Sequence, residues 1–389
     1  MQKKLTWIDA LRGIAILLVI AVHTGQHRPG LITFVTSFGQ LGVQLFFIVS
    51  SITLCISAST RRNEPYPILN FYSRRIFRIA PAYWVGIFFY MFWSLFMNYH
   101  HANKASINPA YTPVNILMNI FFLHGFYPPA NNTIVRGGWS IGTEMAFYAI
   151  FPLLWAIQSR LKLQPPPARP GKKLWLLPAL SILLTSAILC CIYLLTKETV
   201  VLGSFLYYNI VNQLNVFIIG ISAYHYLHFL PKKTSLALFF CFSVIGVVIW
   251  NLDFPYAFYM VPLVFAIAFA GLSLYFSQLR DTAVMSVLAS IGKVSFSMYL
   301  FHFAVADMMG VLFHKLSFPL MAGGMIFFLS MFSLTVLITF GIAKISYRFV
   351  EQPGIAIGKR LTLKLLGAAK SKNDSLAAKE KAPSAKKYI

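Results

Sequence analysis

Long apolar stretches recur along the whole chain, and no other feature of the sequence limits its fold so much. A helix crossing a hydrocarbon core about 30 Å thick takes about 20 apolar residues. Stretches of roughly that length fall at 10–26, 36–58, 78–98, 139–158, 174–195, 205–228, 234–251, 255–277, 285–312 and 320–347. Composition agrees: of 389 residues, 58% are hydrophobic and 11% charged, where a soluble domain carries about a quarter charged. The expected fold is therefore all-α, a polytopic membrane helical bundle of about ten transmembrane helices. Residues 1–353 read as one transmembrane unit. Residues 354–389 read as a basic, disordered cytoplasmic tail that touches anionic lipid. An apolar piece near 114–124 is too short to cross, which leaves it re-entrant or interfacial. Two N-terminal lysines precede an apolar run with no small-residue cleavage site after His23, so the first stretch is expected to be a retained span.

A net charge of +23 would suggest nucleic acid in a soluble chain. Here the charges sit in short loops and the tail, which excludes a nucleic-acid partner and speaks to topology. With ten spans and a cytoplasmic N-terminus, 28 of the 33 lysines and arginines fall on the inner side. That bias puts both termini in the cytoplasm and makes 99–138 the longest external loop. The proline-rich segment at 164–173 reads as an extended cytoplasmic linker. The four cysteines, Cys55, Cys190, Cys191 and Cys241, lie inside apolar runs without metal-ligand spacing, so they are expected to be small core hydrophobes and no metal site is expected.

Ionisable groups inside spans cost at least a few kcal/mol, so each is a candidate for function. The first span reads WIDALRGIAILLVIAVH and carries Asp9, Arg12 and His23. Arg12 and His23 are eleven positions apart, which puts them within about 20° of one helical face and ~16 Å apart along the axis. Such a stripe lines a cavity; Arg12 alone would equally suit a snorkelling anchor, and His23 alone a packed histidine. In FYSRRIFRIAPAYW, Arg75 and Arg78 share a face and suit a polyphosphate ligand, or serve as positive-inside anchors. RGGWSIGTEMAFYAIFP opens the fourth span with Trp139 as an interfacial anchor and Glu144 inside the membrane, at a depth expected to match His23. His302, in SIGKVSFSMYLFH, is also placed high in its span. Glu351, in ISYRFVEQP, is expected at the inner boundary, where it could hold the Arg75/Arg78 cluster. Gly39, Gly42, Ser50 and Ser51 of the second span suggest close helix packing.

In their order along the chain these stretches resemble the acyltransferase-3 family of bacterial integral-membrane O-acyltransferases. The first-span arginine, ten intervening residues and histidine carry the likeness, as do GVQLFFIVSSITL, FYSRRIFRIAPAY, WSIGTEMAFYAIFP and the two closing motifs. Ser51 stands where that family usually has glycine. Six such stretches in order reach from residue 7 to 353.

The resemblance implies a multi-pass protein of the bacterial inner membrane. Its donor would be cytoplasmic acetyl-CoA or another acyl-CoA, and its acceptor a hydroxyl of an envelope glycan or lipid-linked sugar. On that reading His23 is the general base or a transient acyl carrier, and Glu144 orients it. Arg12, Arg75 and Arg78 bind the donor, and Trp139, Ser140 and His302 contact substrate. No SGNH-type hydrolase domain follows the bundle in this sequence, so transfer is expected to be completed by the membrane unit itself or by a separate partner. The competing class, a glycolipid or glycan transporter or flippase, predicts repeat symmetry and discontinuous helices in two halves, and the sequence gives sign of neither. Oligomeric state is not legible.

Overall fold

In the computed structural model, residues 5–26, 30–102, 109–160, 173–252, 254, 256–316 and 324–364 are described, and every regular element among them is helical. In chain order these are α1 (Thr6–Gly25), α2 (Leu31–Ser37), α3 (Gly42–Thr60), α4 (Pro67–Ala102), α5 (Pro113–Ile120), α6 (Gly138–Arg160) and α7 (Leu176–Thr196). They are followed by α8 (Phe205–Tyr208), α9 (Ile210–Tyr226), α10 (Lys232–Asn251), α11 (Ala257–Phe276), α12 (Ala283–Lys293), α13 (Ser295–Lys315) and α14 (Gly324–Ser346). Ten helical segments among the described residues are long and apolar enough to span a bilayer. The protein is a multi-pass membrane protein with the expected all-α architecture.

Glycine decides where the helices approach most closely. A Cβ on Gly292 would sit 1.7 Å from the Asp9 carbonyl oxygen, and one on Gly13 2.2 Å from that of Leu288, so α1 and α12 meet backbone to backbone. Gly39 and Gly42 bring the start of α3 against Leu18 and Ala15 of α1 in the same way. Small residues permit this closeness, and in lipid the resulting contact area drives association. α1, α3, α9 and α11 supply the centre of the buried core, with Leu11, Ile16, Ile48, Phe217 and Val261 fully or almost fully buried.

α7 and α10 lie at the periphery, with only about a tenth of their apolar windows buried. Polar side chains clasp α7 to the bundle. Ser181 donates to Asn215 at 2.5 Å, Asn215 to Thr185 at 2.9 Å, and Ser186 pairs with Tyr259 at 2.8 Å. Cys190, Cys191 and Cys241 belong to these two helices and are exposed, so only Cys55 is the core hydrophobe that composition suggested. A long apolar run does not say which of its faces meets lipid.

Three boundaries differ from the expected spans. The third span begins at Pro67 rather than 78, because its polar first turns are helical beyond the apolar stretch and Pro81 is accommodated inside it. The stretch 285–312 is two helices, α12 and α13, broken at Val294 (φ −106°, ψ 10°) where the chain leaves the close contact with α1. The last span passes through a π-helical turn at Tyr347–Glu351 and stays helical to position 364. Gly354 and Gly358 lay that extension on Pro81 and Phe77 of α4, and Ser73 pairs with Thr362 at 2.6 Å. The remainder of the expected basic tail, and the linker at 164–172, lie outside the described residues. The short apolar piece near 114–124 forms α5, eight residues long.

Candidate active site

α1, α3, α4, α6 and α13 enclose a cleft that gathers most of the intramembrane charge. Arg12, Arg75, Arg78, Ser50, Ser140, Glu144, Tyr148 and Tyr299 all line it. α1 holds Arg12 through Asp9, one helical turn away at 3.3 Å, and Thr53 of α3 accepts from its other terminal nitrogen at 3.2 Å. The Arg75 guanidinium lies over the rings of Phe71 and Tyr148, at 5.9 and 5.6 Å from their centroids, and its buried Nε has no hydrogen-bond partner. A buried donor without a partner costs ~1–3 kcal/mol or more, so this edge of the cleft is built for an acceptor it does not itself contain. Asp9 offsets Arg12 and the cleft wall itself adds a single carboxylate to its three guanidiniums, so the cleft stays net positive.

That carboxylate is Glu144. Ser50 and Tyr148 both donate to its Oε1, at 2.6 and 2.5 Å. Ser50, expected as a packing residue, is therefore part of the site, and so is Tyr148, four positions beyond Glu144 on the same helical face. Ser140 lines the cleft too, donating to the Tyr299 hydroxyl at 2.8 Å, which in turn donates to the Gly137 carbonyl at 3.0 Å.

His23 is not hydrogen-bonded to Glu144. Its ring neighbours are His302, with centroids 5.3 Å apart, and Phe303, at 4.2 Å. The expected pairing of His23 with Glu144 is thus replaced by a pair of histidines. The carboxylate of Glu144 turns to Ser50 and Tyr148 in the cleft instead, and no ion pair joins it to an arginine among the described residues. His302 is wholly buried. Its Nδ1 lies 2.7 Å from the Tyr299 carbonyl oxygen, which can only accept, so Nδ1 carries the proton. Nε2 then bears a lone pair, and it is buried without a partner.

Tyr299 joins the two halves of the site. Its ring lines the cleft and lies 5.6 Å from the His302 ring, while its carbonyl fixes that histidine. Two sequence candidates fall elsewhere. Trp139 is buried and stacks on Tyr208 at 4.3 Å, a packing role rather than an interfacial one. Glu351 accepts from Ser297 at 2.5 Å and forms no ion pair with Arg75 or Arg78 among the described residues. With its one proton committed to Glu351, the Ser297 hydroxyl accepts from Ser346 at 2.8 Å, so Glu351 ties α13 to the end of α14. No cluster suited to a metal occurs among the described residues.

The chain leading into α6 is pinned beside the site by His124, which is fully buried. Its Nε2 lies 3.0 Å from the Gly138 carbonyl and 3.2 Å from the Tyr83 hydroxyl. Burial holds this imidazole below its ordinary pKa, so it stands as a neutral strut against the start of α6.

A family model described as an acyltransferase domain matches residues 5–344. The membrane-bound transacylase BcsY of Komagataeibacter xylinus is 25% identical over 368 residues, covering 90% of this chain and 82% of that protein. The O-acetyltransferase OatA of Staphylococcus aureus is 24% identical over 376 residues, covering 89% of this chain and 56% of its own length. The chain thus spans about half of that relative. The peptidoglycan O-acetyltransferase OatA of Listeria monocytogenes is 27% identical over 160 residues, 39% of this chain and 24% of that one. No solved structure matches the chain.

Proposed function

The chain belongs to the acyltransferase-3 family, whose domain model covers nearly its whole length, and from that membership we propose that it moves an acetyl group from cytoplasmic acetyl-CoA to a hydroxyl of an envelope glycan or lipid-linked sugar. The single observation that carries this reading is the continuity of the site. A cleft with three arginines leads through Tyr299 to two adjacent imidazoles. Relatives named as O-acetyltransferases support acetyl as the group moved.

Arg75 and Arg78 would take the CoA phosphates, since a planar guanidinium matches phosphate oxygens two at a time. Arg12 would line the channel of the pantetheine arm, whose extended length is of the order of the ~16 Å that helix rise puts between Arg12 and His23. The thioester carbonyl would then come to the histidines. His23 takes the proton of the acceptor hydroxyl as its oxygen attacks the carbonyl carbon. The carbon–sulfur bond breaks, CoA leaves as the thiolate, and the imidazolium returns the proton to it. Glu144, held by Ser50 and Tyr148, would balance the charge of the arginines around the donor. Ser140 and His302 would meet the substrates beside this point. The same reading puts the protein in the bacterial inner membrane, with both termini cytoplasmic and the acceptor on or near the outer face.

The test is mass analysis of envelope polysaccharides from a deletion strain beside its parent. Loss of one acetyl unit per modified residue, restored by the intact gene, is the expected result. Identical spectra from every glycan fraction would refute the assignment.

A further inference from the structure

One ion pair lies next to the histidines and belongs to neither the cleft nor the expected site. Arg136, just before α6, pairs with Asp307 of α13, and its guanidinium lies over the Phe303 ring, 4.9 Å from the centroid. Phe303 packs in turn on both His23 and His302, each at 4.2 Å between centroids. Two elements agree on where this group sits. Along α13, Ser295, Phe296 and Tyr299 line the cleft, His302 and Phe303 follow one turn on, and Asp307 comes a further turn beyond. Along the chain entering α6, Arg136 precedes the cleft residues Ser140 and Glu144. The ion pair is therefore on the far side of the imidazoles from the arginine cleft. It is also open, with 47% of the Arg136 side chain and 30% of that of Asp307 exposed.

Resting on the transfer reading above, we propose that Arg136 and Asp307, together with the unpartnered Nε2 of His302, form the acceptor-binding rim, and that it takes a neutral, hydroxyl-rich sugar ring. The chemistry of the three groups sets the class. His302 Nε2 is an acceptor only, because Nδ1 is committed to the Tyr299 carbonyl. It needs a donor, an O–H or N–H, which an ionised carboxylate or phosphate group does not supply. The Asp307 carboxylate is a second acceptor, suited to a pair of neighbouring hydroxyls. Arg136 is the donor, and Asp307 already balances its charge, so an anionic sugar would have to compete with that carboxylate. A donor group approaching through the arginine cleft and a hydroxyl held on this rim would meet at His23.

An exposed ion pair more often contributes about 0–1 kcal/mol and nothing else, so the experiment must separate binding from clipping. Membranes carrying Arg136→Gln, Asp307→Asn, or the exchanged pair Arg136→Asp with Asp307→Arg would be assayed with labelled acetyl-CoA. The acceptor probe is de-O-acetylated envelope glycan extracted from the deletion strain, titrated into the assay. Each single variant should bind acetyl-CoA normally, with KM for the glycan raised tenfold or more and a rate recovering at high glycan. The exchanged pair should not restore KM. Unchanged KM in both single variants, or full restoration by the exchange, would overturn the proposal and leave a structural clip. Absence of transfer by the unaltered protein would instead refute the transfer reading itself.

Discussion

The carbonyl oxygen of Tyr299 accepts the Nδ1 proton of His302 at 2.7 Å, while the ring of the same tyrosine forms part of the wall of the arginine cleft. One residue thus fixes the tautomer of a buried histidine and borders the pocket proposed for the donor. The arrangement gives each half of the site a distinct chemistry that can be tested separately.

Removing a guanidinium from the cleft should weaken donor binding. A hydrogen bond to a charged group is typically worth ~1.5–3 kcal/mol, so Arg75→Ala and Arg78→Ala should each cost about tenfold to a hundredfold in acyl-CoA affinity. Arg75→Lys should recover only part of it, since an ammonium has no planar fork. Equilibrium binding to purified protein checks this. Variants that bind normally but fail to accumulate would mark these arginines as anchors of topology.

Glu144→Gln should separate binding from turnover. The change removes the cleft's negative charge and keeps its shape, so the three guanidiniums become less compensated. Acyl-CoA affinity should stay the same or tighten, while transfer falls tenfold or more because the carboxylate that Ser50 and Tyr148 hold is lost. Steady-state kinetics in membranes beside donor binding would decide. A fall in donor affinity would contradict the charge-balancing role.

Much of this was legible in the sequence. Apolar length gave ten spans, and the spacing and intramembrane charge of Arg12, Arg75 and Arg78 led to residues that share one cleft, which Ser140, named only through the family resemblance, also lines. What failed did so for physical reasons. Helical rise gives the height of a Cα and not the direction of its side chain, so spacing along one helix could not show that Glu144 meets Ser50 and Tyr148 rather than His23. The residues missed altogether, Tyr148, Phe303, Arg136 and Asp307, are ordinary in an aromatic-rich membrane chain. Only Tyr148, at i+4 from Glu144, left a signal that spacing could have found. The break at Val294 directly follows Gly292 and Lys293, punctuation in the sequence that the long stretch 285–312 runs across, and Gly292 packs there against Asp9.

That contact can be tested directly. Gly292→Ala should lower thermal stability in detergent by the ~1–3 kcal/mol typical of overpacking, or more, because the atom it meets is backbone and cannot turn aside. Gly341→Ala, at a helical position with nothing within 4 Å, should be neutral or slightly stabilising. Equal melting behaviour of the two variants would contradict the backbone-to-backbone packing of α1 on α12.

Orientation has its own check. A reporter fused after Ile389 should behave as cytoplasmic and one inserted in the 99–138 loop as external. Termini on opposite faces would remove the even number of spans.

The account rests most on His23, half-buried beside His302 where donor and acceptor are proposed to meet. General-base assistance is typically worth about 10²–10⁴ in rate. The decisive measurement is the rate of acyl transfer from labelled acetyl-CoA in membranes carrying His23→Gln, a change that keeps a polar side chain but cannot take up the proton. The account predicts a loss of a hundredfold or more with expression and acetyl-CoA binding intact. Transfer at a near-normal rate would contradict it and leave His23 a packing residue.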